Sequence, residues 1–302
     1  MKVGIDLGGT KTEGILIDDS GKELARNRIK TEKNYDGTIS GIISIVKKFE
    51  NDFGDSKSVG IGMPGAVSSE SALVKNANSI WLNGKPFKKD LEKELDRRVN
   101  LENDANCFAL SEAVDGAGKD YQSIFGIIVG TGFGGALSYK KEIIEGANQI
   151  AGDWGHQPLP YPTKEEIETK INCPSMNCGR PLCAEQFMSG IGFKDVFNQK
   201  NNTNFSSEEI VQLDLDGDPR ANLELSLYED RMARLMAVMI GIFDPDAIIL
   251  GGGMSNIDRL YKNIPALFPK YTFSNKVITK VIKNFHGDSS GVRGAAWLWN
   301  NV

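Results

Sequence analysis

The sequence predicts an α/β protein built as two similar halves, each a mixed sheet flanked by helices. Three observations carry this. "KVGIDLGGTKTEGILID" near the N-terminus reads as two short apolar strands parted by two glycines. "IFGIIVGTGFGGALSY", from Ile124, repeats that layout with different residues. "SVGIGMPGAV" is answered much later by "PDAIILGGGMS", each an apolar strand running into a turn. Apolar strands alternating with helical periodicity suit an α/β sheet, and a repeated supersecondary unit points to duplication.

Residues 2–7 and 13–18 read as strands joined by the glycine turn, and "DDSGK" leads into a third strand at 22–30. Ile39, Ile42, Ile43, Val46, Phe49 and Phe53 recur at helical spacing and predict an amphipathic helix. "SVGIGM" is a buried strand that ends in a Pro64–Gly65 turn. "FKKDLEKELDRR" is an amphipathic helix, "VNLEND" a short strand and "ANCFALSEAVDG" a helix. From residue 124, "IFGIIVGTGFGGALSYKKEIIEG" is strand, glycine turn, strand, tight turn and strand. "LELSLYEDRMARLMAVMIGIF" is a long helix whose methionines belong to the core or a subunit interface. These elements divide into a small N-terminal lobe, 1–118 plus 289–302, and a large lobe, 119–288, with a cysteine loop at 153–185. With no low-complexity linker, the two are expected to meet over a substantial interface and to enclose a cleft.

The net charge is −5 and the basic residues are scattered, which argues against a nucleic-acid partner. No apolar run approaches the ~20 residues that span a bilayer, so no membrane partner is expected. Asp6 interrupts the apolar start, unlike a signal peptide. Three of the four cysteines sit in "CPSMNCGRPLC", which suits a reducing cytoplasm and a metal better than a disulfide framework.

Glycine lets a phosphate approach main-chain N–H groups without meeting a Cβ. Gly8, Gly9, Thr10 and Lys11 in the first turn therefore suggest a phosphate grip, as do Gly130, Thr131, Gly132, Gly134 and Gly135 in the second; a plain hairpin turn is the alternative. A P-loop fails, because Gly4 and Gly9 have the right spacing but Thr10 stands where lysine is required. "GTGFGG" satisfies a dinucleotide fingerprint, but that needs a helix next, and "ALSYKKEIIEG" reads as strands. In "LENDANC", Asp104 is either an N-cap for a helix beginning at Ala105 or a cleft-facing acid–base group at a strand end. His156 with Cys173, Cys178 and Cys183 makes a complete tetrahedral zinc shell with no open position, hence a structural site; packed thiols are the alternative. Cys107 and His286 read as structural.

"DLGGTKT", "GIGMPG", "NDANCFALSEA", "GTGFGG", "GDWGH" and the cysteine cluster, in that order along nearly the whole chain, resemble the ROK family of bacterial sugar kinases. The resemblance implies a duplicated actin/hexokinase-like (ribonuclease H-like) fold with a five-stranded mixed sheet in each half and ATP between them. It implies that Gly4, Gly8, Gly9, Thr10, Lys11, the second glycine turn and Gly252–Gly253 serve ATP, with Asp6 orienting magnesium through water. Asp104 would accept the proton of the sugar's 6-hydroxyl. Gly65, Asn78, Asn103, Asp153, His156 and Glu185 match sugar-contacting places. Two departures stand out. The family's usual C-x-C-G-x-x-G-C-x-E is here "CPSMNCGRPLCAE", with Met176 in place of the first cysteine and Leu182 in place of a glycine, so Cys173 must loop back. Asp153 also stands where glutamate is usual, one methylene shorter toward the sugar's anomeric end.

"VKNANSIWLNGKPF" and "HGDSSGVRGAAWL" look most like the fructokinase/mannokinase branch, whereas "NDANCFALSEA" is shared with N-acetylglucosamine kinases. The expected activity is ATP- and magnesium-dependent phosphorylation of a hexose at its 6-hydroxyl. Fructose leads, mannose and glucose follow, and N-acetylglucosamine or N-acetylmannosamine is the alternative. A sugar-sensing regulator is the non-enzyme alternative; such relatives carry an N-terminal helix-turn-helix, while this sequence opens on the first strand. A homodimer is the family expectation.

Overall fold

The computed structural model describes residues 1–302 apart from positions 57, 170, 176, 177, 275, 288, 289 and 300–302. Two compact units divide the chain: Met1–Lys119 with Lys141–Gln149 and Phe285–Val302, and Asp120–Lys140 with Ile150–Asn284. The division differs from the sequence-based boundaries in placing Lys119, Lys141–Gln149 and residues 285–288 with the first unit. Ile143 packs on the apolar cluster of Leu110, Val292 and Trp297, and Phe285 N donates to Glu112 at 3.0 Å. Neither contact leaves a periodic trace in the sequence.

The first unit opens with β1 (Lys2–Leu7), β2 (Lys11–Ile17) and β3 (Glu23–Lys30), followed by α1 (Tyr35–Phe53) and β4 (Ser58–Met63). A small hairpin of β5 (Ala66–Val67) and β6 (Val74–Lys75) precedes α2 (Phe87–Leu95), β7 (Val99–Asn103) and α3 (Asp104–Val114). The sheet order is β3-β2-β1-β4-β7, with β1–β2 and β2–β3 antiparallel and β1–β4 and β4–β7 parallel. The predicted α1 is present, capped by the Asn34 side chain, but its buried face includes Thr38 and Ile45, while Ile43 is only partly buried and Phe53 is exposed.

In the second half β8 (Ser123–Val129), β9 (Phe133–Tyr139) and β10 (Glu142–Ile143) precede α4 (Lys164–Glu168), α5 (Ala184–Met188), α6 (Gly190–Asn201), α7 (Ser207–Leu215) and α8 (Pro219–Phe243). Then come β11 (Ala247–Gly251), α9 (Arg259–Tyr271) and β12 (Lys280–Lys283). The order β10-β9-β8-β11-β12 repeats the first sheet strand for strand: an antiparallel β8–β9 hairpin, then parallel β8–β11 and β11–β12 pairs. Because the glycine turn leads into antiparallel β9 and not into a helix, the dinucleotide reading of "GTGFGG" is excluded. Met232 and Met236 of α8 are fully buried, in keeping with the core.

The closing helix, α10 (Ser290–Trp297), lies directly on β1, β4 and α3 of the first unit. Glycines permit this approach. A Cβ on Gly4 would stand 2.2 Å from Val292 O, and one on Gly60 would stand 1.9 Å from Ala295 O. Gly4, read from the sequence as a nucleotide contact, is thus a buried packing position. No helix among the described residues is long and apolar enough to cross a membrane.

Candidate active site

In the first unit the sequence-predicted residues gather around the β1–β2 turn and the β7–α3 junction. The turn is closed by Gly8 N donating to Lys11 O at 3.0 Å and steadied by Thr31 Oγ1 donating to Gly8 O at 2.8 Å. It leaves Gly9, Thr10 and Lys11 exposed. Asp6, two residues before the turn, is half-buried, and a Cβ on Gly291 in the first turn of α10 would sit 3.5 Å from its Oδ2. The antiparallel register sets Asp6 opposite Glu13, and Glu13 opposite Arg28. Glu13, which no local motif marks, accepts from Arg28 at 2.6 Å and from Arg26. Only strand pairing reveals that row of acid, acid and base.

Burial pushes the Asp6 carboxyl up to about 7, with Asp104 and then Glu13 adding to the effect and Arg28 opposing it. The unfolded carboxyl titrates near ~3.9. The stability linked to the raised value is therefore fully present below about pH 4 and lost as pH rises through 7. Asp6→Asn, melted without added magnesium, is expected to raise Tm at pH 8 and to give no gain at pH 4. An equal gain at both pH values in thermal scans would show that ionised Asp6 is no burden on the fold.

Asn103, and not Asp104, caps α3: its Oδ1 accepts from Ala105 N at 2.9 Å, and its Nδ2 donates to Gly65 O at 3.1 Å. Asp104 is the first helical residue. Its Oδ1 also accepts from Ala105 N, at 2.8 Å, yet the side chain as a whole is exposed. The protein that crowds it raises its pKa by desolvation, with the Ala105 N–H pulling the other way. Crowding and exposure point in opposite directions here. Gly65 has φ of 91°, and a Cβ there would stand 2.6 Å from Lys75 O, so the β5–β6 hairpin can close only over glycine. Asn78 is exposed nearby in the chain. A cavity of about 680 Å³ adjoins Asn103, with Glu102, Asn106, Ser68 and Gln149 among its walls.

In the second unit the Gly130–Gly135 turn is mostly open: a Cβ on Gly130 or Gly134 would meet nothing within 4 Å, and Thr131 and Gly132 are exposed. Gly135 differs, since a Cβ there would stand 2.7 Å from Phe125 and 2.9 Å from Trp154 Nε1; it serves packing. Gly252 has φ of 81° and packs on Val129 O, while Gly253 faces open space. Glu185, at the start of α5, reaches back to the turn: Phe133 N donates to its Oε2 at 3.2 Å. Asp153 is exposed, beside a buried Trp154 that packs edge-on against Phe125.

The metal-ligand set converges as its chemistry requires. One ligand atom from each of His156, Cys173, Cys178 and Cys183 lies within 4.8 Å of all the others. His156 Nδ1 is 3.4 Å from Cys183 Sγ and 3.9 Å from Cys173 Sγ, and Cys178 Sγ is 3.6 Å from Cys183 Sγ. Tetrahedral zinc with ~2.3 Å Zn–S bonds needs ligand separations of about 3.8 Å, so the residues fit the ion. Cys173 does loop back into the cluster, although Met176 lies outside the described residues. Burial pushes the Cys173 and Cys183 thiols up, so all three become thiolates only if a cation offsets the charge. Cys107, by contrast, is buried against Gly62, and His286 Nε2 pairs with Asp115 Oδ1 at 2.9 Å, a structural link.

A sequence profile described as "ROK family" matches residues 2–302. The chain belongs to the ROK family. Among its ROK relatives, the "N-acetyl-D-glucosamine kinase" of Vibrio atlanticus (strain LGP32) is 36% identical over 299 residues, covering 99% of each chain. The protein of the same name from Vibrio cholerae serotype O1 (strain ATCC 39315 / El Tor Inaba N16961) is also 36% identical over 299 residues, with the same coverage. Among solved structures, the ROK hexokinase from Thermus thermophilus superposes with a TM-score of 0.85 at 25% identity, over 98% of this chain and 97% of that one. A ROK family glucokinase from Streptomyces griseus, in complex with glucose and AMPPNP, gives 0.77 at 26% identity over 98% of both chains. The duplicated mixed sheets are those of the ROK hexokinase fold.

Proposed function

We propose that this ROK-family sugar kinase transfers the γ-phosphoryl group of ATP to the 6-hydroxyl of N-acetyl-D-glucosamine. The observation that carries the chemistry is the first unit's pairing of an accessible carboxylate, Asp104, with a second, Asp6, beside an open glycine turn. The substrate rests on the relatives, which are 36% identical over 99% of the chain and are named for that sugar. They favour it over the fructose reading of the sequence. The cavity beside Asn103 leaves room for a substituent on the hexose ring.

Asp104 would orient the hydroxyl and take its proton late, because phosphoryl transfer has a loose transition state in which positioning dominates. Asn103, held by Gly65 O and Ala105 N, keeps the neighbouring amide fixed for the sugar. In the first unit the turn N–H groups, with Thr10 and Lys11 beside them, are the proposed phosphate contacts, and in the second those of Gly130–Gly135 with Thr131. Magnesium, when bound with ATP, neutralises developing phosphate charge; Asp6 supplies the hard oxygen such an ion prefers. His156 turns Nδ1 toward the cysteines; with the four residues holding zinc, its Nε2 would be the ring nitrogen that serves a sugar hydroxyl. Asp153 and Glu185 complete the sugar set in this reading.

The test is a coupled ADP-release assay across glucose, mannose, fructose and their N-acetylated relatives. N-acetylglucosamine is expected to show the highest kcat/KM, at least about tenfold above fructose, the scale on which a fitted pocket separates small groups. Preferential turnover of fructose would overturn the substrate, and no turnover of any sugar would overturn the kinase.

A further inference from the structure

Ser175 lies inside the cysteine loop, between Cys173 and Cys178, and each of its polar groups is engaged. Its backbone N–H donates to the Cys173 sulfur. Its carbonyl accepts from Cys178 N at 3.0 Å. Its hydroxyl donates to Glu185 Oε1 at 2.5 Å. The other oxygen of Glu185 accepts from Phe133 N, the first residue of β9 after the glycine turn. Glu185 is thus held from two sides, by a hydroxyl of the metal loop and an amide of the turn.

Cys173 Sγ also approaches Glu185 Oε1, at 3.6 Å, a long and weak contact. Glu185 is only 5% exposed, so little water reaches it to supply another donor. The Ser175 hydroxyl, at 2.5 Å, is the short hydrogen bond that holds Oε1 in place beside Cys173. The shifted cysteine spacing is what sets a serine between two ligands at this point.

We propose that Ser175 is a positioning residue that ties the metal loop to Glu185 and thereby sets the orientation of this carboxylate for the sugar. This rests on the reading of Glu185 as a sugar-binding group of a sugar kinase. Zinc occupancy and sugar affinity are coupled through one hydroxyl.

Ser175→Ala and Ser175→Thr test it with three readouts: zinc per chain by metal analysis, N-acetylglucosamine affinity by calorimetry without nucleotide, and separate kcat and KM values. Ser175→Ala is expected to keep its zinc while Kd and KM for the sugar rise roughly tenfold, the low end of what lost outer-shell partners do to a metal site. The change in kcat is expected to be smaller, and Ser175→Thr to restore most of the affinity. In a Glu185→Ala background the serine change should add little, because its target is already gone. Unchanged sugar affinity in Ser175→Ala overturns the proposal, as does a parallel loss of zinc and affinity in both variants, which would mark a merely structural serine. A wild-type protein that neither binds nor phosphorylates any sugar removes the kinase reading first, and this proposal with it.

Discussion

Replacing Asp104 with asparagine is expected to lower kcat by roughly two to four orders of magnitude, the range that a positioned general base contributes. The fold should survive the change. Asparagine keeps the oxygen that accepts from Ala105 N at 2.8 Å, and the helix has a separate cap in Asn103. The capacity to take a proton disappears, and with it a negative charge that burdens the nearby Asp6 carboxyl. Because the side chain is exposed, the change opens no cavity. Sugar KM should therefore move less than kcat, since the amide can still hydrogen-bond the hydroxyl. Turnover in the coupled assay is measured alongside the thermal midpoint. An unchanged midpoint with kcat down at least a hundredfold supports the role, whereas near-normal turnover would remove Asp104 from it.

Loss of the structural metal should have the other large effect. Cys178→Ser is the cleanest way to impose it, because Cys178 is half-exposed, whereas Cys183 is fully buried and bridges to Pro158. Wild-type protein should carry about one zinc per chain, and the variant none. Structural zinc sites bind with apparent free energies of about 10 kcal/mol or more in small peptides. Even a few kcal/mol of that, lost here, corresponds to a drop in Tm of about 10 °C. A strong chelator should lower the wild-type midpoint to that of the variant and leave the variant's own midpoint unmoved. Metal-free wild-type protein after gentle purification, or full zinc in Cys178→Ser, would defeat the assignment.

Much of the fold was legible because its signals are local. The two glycine hairpins, the apolar strands between them and the helical spacing of α1 are patterns of neighbouring residues, and burial follows them. The strand content after "GTGFGG" argued against a dinucleotide fold, in keeping with the antiparallel β8–β9 pair. The ligand set was legible by residue type, since one imidazole and three thiols already satisfy a tetrahedral ion. Gly4 shows the opposite case. A glycine in a strand before a glycine turn looks like part of the phosphate motif, and only the helix lying across it, nearly 290 residues later, shows it to be a packing position.

The amino-acid sequence by itself determined the strands and helices around the two glycine turns, the duplication and the ligand types gathered in the cysteine loop. Propensity, periodicity and ligand type act over a few residues and are written in their spacing. The tertiary structure decided the rest: that Asn103 and not Asp104 caps α3, that Glu13 and Arg28 stand in a row with Asp6, that Lys141–Gln149 packs with the first unit, and that Ser175 grips Glu185. Each depends on strand register, chain return or a side chain's reach across a loop. Such contacts join residues by distance in space, which no local pattern encodes.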